Sequence, residues 1–99
     1  MPRKRRMRNI SHKPSSNYFK PAGIPLREIE EEVLSLVEIE AIRLKDFLGL
    51  EQKECAERMN ISQPTFHRLL IDARKKISSA LVNGKAIKLE DDNNYYFEK

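Results

Sequence analysis

Pro64 lies inside the stretch MNISQPTFHRLLIDARKKI, residues 59–77, where Phe66, Leu69, Leu70, Ala73 and Ile77 recur at the helical period. Proline lacks a backbone N–H and fits a straight α-helix only in its first turn, so it marks where this helix begins. With Ser62 as N-cap, Pro64 takes the second helical position, where no N–H is owed to the helix. The longest helix of the chain, helix C, is therefore expected over 63–82, its apolar period running on through Leu81.

Two shorter helices are expected ahead of it. Ser35 and Glu38 form S-x-x-E, a capping box, and Val37, Ala41, Leu44 and Leu48 follow at three to four residues with Ile42 beside them. Gly49 then supplies a left-handed stop, which gives helix A over 36–48. After Gly49-Leu50, EQKECAERM sets Cys55, Ala56 and Met59 on one face of helix B, 52–59. Leu26, Ile29, Val33 and Leu34 fit a helical face, while EVLSL fits a short extended piece equally well. Beyond Asn83-Gly84, KAIKLE alternates Ile87 and Leu89 like a short strand.

The ends differ in character. Residues 1–25 hold prolines at 2, 14, 21 and 25, many cations and no helical period, and read as an extended basic arm pinned by Tyr18 and Phe19. The domain proper spans 26–90, and 91–99 is an acidic tail. The fold expected is mainly α: a small helical domain with an extended arm and one short C-terminal strand.

Size and composition favour binding over catalysis. Ninety-nine residues make a core of three or four helices without an enclosed cleft. One cysteine, Cys55, excludes a disulfide framework, and with His12 and His67 alone no set of four zinc ligands forms. Neither cofactor nor metal is expected. No apolar run approaches the roughly 20 residues of a membrane span, and the basic start lacks an apolar signal region, so a soluble cytoplasmic protein is expected.

Charge is unevenly spread. Residues 1–26 sum to +7, 27–61 to −5, 62–88 to +5 and 89–99 to −3. Two basic blocks around an acidic one predict one face for a polyanion and another for solvent or a protein.

Helix B, Asn60-Ile61 and helix C match the helix-turn-helix pattern, each residue for a physical reason. Ala56 is small where the helices approach, Asn60 suits a turn with positive φ, Ile61 fills the elbow, Ser62 caps the second helix, and Phe66 with Leu69 anchors it. A plain helical hairpin uses the same core residues but gives the outward face no particular composition. Turning about 100° per residue from Phe66, Leu70, Ala73 and Ile77, the outward face carries Pro64, Arg68, Ile71 and Lys75. His67 and Asp72 flank it, with Gln63, Thr65 and Arg74 nearer the edges.

These residues suit DNA. Arg68 is expected at a base edge, ideally bidentate to guanine; Gln63 suits adenine, and Pro64, Thr65 and His67 lie within reach of bases. Ser62, Arg74, Lys75 and Lys76 are expected at phosphates, as are Arg3, Lys4, Arg5, Arg6 and Arg8 of the arm. A competing use of Arg68 is an intrahelical pair with Asp72, worth about 0.2–0.5 kcal/mol. His67 as a catalytic base lacks an identifiable nucleophile or orienting carboxylate.

The stretches YFKPAGIPL (18–26), EIEAIRL (38–44), LGLEQKECAERMNIS (48–62), PTFHRLLIDARKKI (64–77) and ALVNGKAIKLE (80–90) carry a resemblance. The chain resembles the small bacterial and archaeal proteins grouped as domain of unknown function 134, whose helix-turn-helix is similar to region 4 of sigma-70 factors. The resemblance covers about residues 2–90 and implies sequence-specific DNA binding and transcriptional regulation. Two departures stand out: Gln63 where relatives often have Arg, and Glu51, a weaker cap, where relatives commonly have a polar residue such as Ser.

The expected partner is thus double-stranded DNA, bound by a transcriptional regulator. Half-site recognition favours a homodimer, with helix A or the Ile87–Leu89 segment as its contact. The alternative is a protein-interaction module docking on RNA polymerase or another transcription factor through the acidic 28–40 surface. RNA binding through the arm has less support, because no aromatic stacking platform is apparent.

Overall fold

Local capping chemistry sets the helix boundaries. The computed structural model, which describes residues 8–91 and 95–97, has α1 at Leu36–Ile42, α2 at Gln52–Met59 and α3 at Gln63–Asn83. Ser35 caps α1: its hydroxyl accepts from the Glu38 amide at 3.1 Å while Glu38 accepts from the Ser35 amide at 3.0 Å. Asn60 ends α2 in the left-handed region (φ 60°), and Gly84 ends α3 at φ 64°.

Short strands surround the helices. β1 (Arg8–Ile10), β2 (Tyr18–Phe19), β3 (Glu31–Ser35), β4 (Ala86–Glu90) and β5 (Tyr95–Phe97) form two sheets, with a 3-10 turn at Leu26–Glu28. β4 lies in the middle of one sheet, antiparallel to β2 and parallel to β3, so that Leu34 stands opposite Leu89. β1 and β5 pair in parallel.

The fold is therefore a three-helix domain with more sheet than expected. One C-terminal strand was expected, and five are present among the described residues. Strands of two to five residues are too short to impose a period, and β3 pairs with β4 across all three helices. EVLSL resolves as the extended β3.

Helix A also differs from expectation. It is α-helical only to Ile42 and continues as a π turn over Arg43–Phe47, where the Leu48 amide bonds the Arg43 carbonyl at 2.9 Å. The wider turn keeps Leu44 buried while Asp46 and Phe47 face solvent. Gly49, at φ 73°, then reverses the chain as expected.

The core gathers one face from each helix: Val37, Ala41 and Leu44 from helix A, Cys55, Ala56 and Met59 from α2, and Phe66 and Leu70 from α3. Ile10 of β1 joins them, 1% exposed, so the arm contributes to the core at that position. The inward face of α3 continues to Ala80, whereas Leu81, expected inward, is 76% exposed. The spacing from Phe66 through Leu70, Ala73 and Ile77 meets the sheet at Ala80, and the next residue is rotated about 100° away.

Among the described residues no helix is long and apolar enough to cross a membrane. Nor are three His, Cys, Asp or Glu side chains grouped there to hold a metal ion.

Candidate nucleic-acid interface

The link between α2 and α3 is built from backbone hydrogen bonds. The Asn60 amide bonds Glu57 O and the Ile61 amide bonds Ala56 O, both at 3.1 Å, which closes the end of α2 in a Schellman-type arrangement. Ile61 packs against the core from within the turn. Ser62 then opens α3: its hydroxyl accepts from the Thr65 amide at 3.2 Å and donates to Thr65 Oγ1 at 2.9 Å. Gln52 Nε2 reaches Gln63 O at 3.4 Å, tying the first turns of the two helices together. Glu51, as its chemistry implies, gives α2 no side-chain cap.

This link sets the rotation of α3. Phe66, Leu70 and Ala73 are buried and Ile77 is half-buried, so Gln63, Pro64, His67, Arg68, Ile71, Asp72, Arg74 and Lys75 face solvent. Thr65 is half-buried. Arg68 makes no ion pair with Asp72 or with any other described carboxylate. Its guanidinium extends from an exposed helix face.

The cations beyond Arg68 have different surroundings. Arg74 is bound by Asp46 through Nε to Oδ2 at 3.1 Å and Nη2 to Oδ1 at 2.5 Å. That bidentate contact holds the Asp46 carboxyl below the usual aspartate range and raises the Arg74 guanidinium further. Lys76 turns toward helix A, where Nζ donates to Glu38 Oε1 at 2.8 Å, the oxygen that also serves the α1 cap. Lys75 is exposed.

The arm is fastened beside this surface. Asn9 Nδ2 donates to Arg58 O, at the end of α2, at 2.8 Å. The amide and hydroxyl of Ser11 both donate to Glu40 Oε2 at 2.9 Å. Arg43 completes the clamp, bonding Glu40 through Nε at 2.8 Å and Nη2 at 3.0 Å and also bonding Ser11 Oγ. Glu40 is 2% exposed, and its charge is met on every side by donors. β1 thereby leaves the core next to the α2–α3 turn. Arg8 belongs to β1, while Arg3, Lys4, Arg5 and Arg6 lie outside the described residues.

Neither clamp is visible from local patterns. Glu40 and Ser11, or Asp46 and Arg74, are distant in the chain, and only the fold brings them together. The expected acidic surface over 28–40 is correspondingly smaller: Glu38 and Glu40 are buried and paired, leaving Glu28, Glu30 and Glu31 exposed.

Comparison with known proteins supplies the family. The model described as "Protein of unknown function DUF134" matches residues 1–96. The chain belongs to this family. A UPF0251 protein of Caldanaerobacter subterraneus is 55% identical over 93 residues, covering 94% of this chain and 79% of the relative. One from Moorella thermoacetica is 58% identical over 90 residues, 91% of this chain and 60% of the relative. One from Thermoanaerobacter is 48% identical over 99 residues, 100% and 88% of the two chains. No solved structure matches the chain.

Proposed function

We propose that this chain is a sequence-specific DNA-binding protein and transcriptional regulator. In this reading α2, the Asn60 turn and α3 form a helix-turn-helix similar to sigma-70 region 4, with α3 lying in the major groove. The observation that carries the reading is the exposed face of α3, where Pro64, His67, Arg68 and Lys75 stand clear of the core while Phe66, Leu70 and Ala73 are buried.

The same reading assigns the roles. Arg68, Gln63, Pro64, Thr65 and His67 contact bases or line the groove beside them. Ser62 and Lys75 contact phosphates, joined by the arm cations Arg3, Lys4, Arg5, Arg6 and Arg8. Arg74 and Lys76 contribute positive potential from carboxylate-bound positions. Because β1 is fastened at Arg58 O, the arm starts beside the leading end of α3 and follows the adjacent backbone or minor groove.

Titrating duplex DNA across a range of salt tests this. Affinity should fall steeply with salt, as phosphate neutralisation releases counterions, and deletion of residues 1–8 should flatten that slope. An absence of salt-dependent duplex binding would contradict the reading.

A second reading, docking on RNA polymerase or another factor, is favoured by one observation. Glu28, Glu30 and Glu31 are exposed together on the turn and strand leading into α1. Binding that persists without DNA and is lost on reversing those three charges would establish it.

A further inference from the structure

We propose that the C-terminal end of α3 is the contact through which two copies of this chain pair. The half-site spacing of such a pair rests on the DNA-binding reading; the exposed surface does not. Leu81 is 76% and Val82 is 82% exposed. Phe19, on edge strand β2, is 57% exposed. With Ala80, Leu81 and Ile87 it lines a shallow groove of 260 Å³.

Charge identifies the occupant. In a chain that is 34% charged, no side chain from Ile77 to Gly84 carries a charge. Two lysines also line the groove: Lys85 is neutralised within the chain, and Lys20 keeps its charge. Lys85 pairs with Glu32 at 3.2 Å and Glu30 at 3.8 Å, and Lys20 Nζ donates to Ile24 O at 2.8 Å. A two-fold dimer sets a patch against itself, so a patch of net charge repels its own copy. The leading half of α3 is basic, and the turn before β3 is acidic. Phe47, 81% exposed, sits beside Lys45 and Asp46. The Leu81–Val82 turn itself pairs apolar, uncharged area, with the Lys20 charge left at the edge of the groove.

Length agrees with that choice. Arg68 and Leu81 are separated by about 20 Å along the helix axis at about 1.5 Å per residue. Two α3 helices meeting at Leu81 and Val82 therefore place their Arg68 residues up to about 40 Å apart. That upper bound admits the 34–36 Å, roughly one turn of DNA, that separates paired half-sites. Pairing through the leading half of α3 would bury Arg68 instead.

Sedimentation equilibrium on the whole chain, without DNA, tests the pairing. The mass should rise with concentration toward twice the 11.6 kDa of one chain. Leu81→Glu and Leu81→Lys should each hold it at the single-chain mass, with circular dichroism unchanged and melting equal to that of the wild type at dilutions where the wild type is single, because the side chain is exposed in the single chain. Mixing the two variants should restore the double mass. A chain that stays single at every concentration, or a dimer indifferent to both substitutions, overturns the proposal and leaves a different protein as the occupant. A dimer that behaves as expected but binds no duplex would sustain the pairing and contradict the DNA reading alone.

Discussion

Arg74 of α3 closes on Asp46 of the π turn through two parallel hydrogen bonds, at 3.1 and 2.5 Å. The contact joins the end of helix A to the middle of α3 and thereby helps hold the tilt of the helix whose outward face is proposed to meet DNA. Both side chains are more than one-third exposed, so solvent screening limits the pair to under about 1 kcal/mol.

Asp46→Asn should therefore cost under about 1 kcal/mol at neutral pH in urea unfolding. The folded-state carboxyl lies lower than its unfolded value of about 3.9, so the contribution is present above that pH and is lost as pH falls through the folded value. Wild type and variant should converge in strongly acidic solution; a gap that widens on acidification would show that Asp46 acts otherwise.

Asn60 is the described non-glycine residue with positive φ, at 60°. Asn60→Gly should be close to neutral, and Asn60→Ala, which keeps the Cβ but loses the short polar side chain that suits asparagine to the left-handed region, should cost about 1 kcal/mol. Chemical denaturation measures both. Equal stability of the two variants would place the turn's requirement elsewhere.

Glu40 is buried beneath Ser11 and Arg43. Removing the buried carboxylate in Glu40→Ala takes away the acceptor shared by the Ser11 amide, the Ser11 hydroxyl and Arg43 and should cost about 3 kcal/mol or more, whereas Ser11→Ala, which keeps the backbone hydrogen bond, should cost about 1 kcal/mol. The second variant should also quicken trypsin cleavage after Arg8, since it loosens the arm without unfolding the domain. Unchanged cleavage would mean that the Ser11 hydroxyl adds nothing to the hold that Asn9, Ile10 and the Ser11 amide have on β1.

What was legible in the sequence was local. Ser35 with Glu38, Asn60, Ser62 with Pro64, and Gly84 each signal a helix end through chemistry confined to one turn, and the helix ends lie there. The burial of Phe66, Leu70 and Ala73 and the exposure of Arg68 and Lys75 followed from the period alone. What was not legible depends on long-range contact. β3 and β4 are separated in the chain by three helices, and past the π turn at Arg43–Phe47 Leu48, expected on the inward face of helix A, is 43% exposed. Leu81 shows the limit of periodicity, since its neighbour Ala80 continues the inward face and no composition rule separates the two. Lys76 reads as a surface cation until Glu38 is seen beneath it.

In the proposed function Arg68 reads bases from an exposed helix face. Selection of bound sites from random duplexes, followed by affinity measurements of Arg68→Ala and Lys75→Ala on selected and scrambled sequences, tests it most directly. Arg68→Ala should lose about 1–3 kcal/mol of discrimination between sequences, and Lys75→Ala should weaken binding to all sequences about equally. An Arg68→Ala variant that keeps the full preference of the parent chain would contradict the assignment of this face.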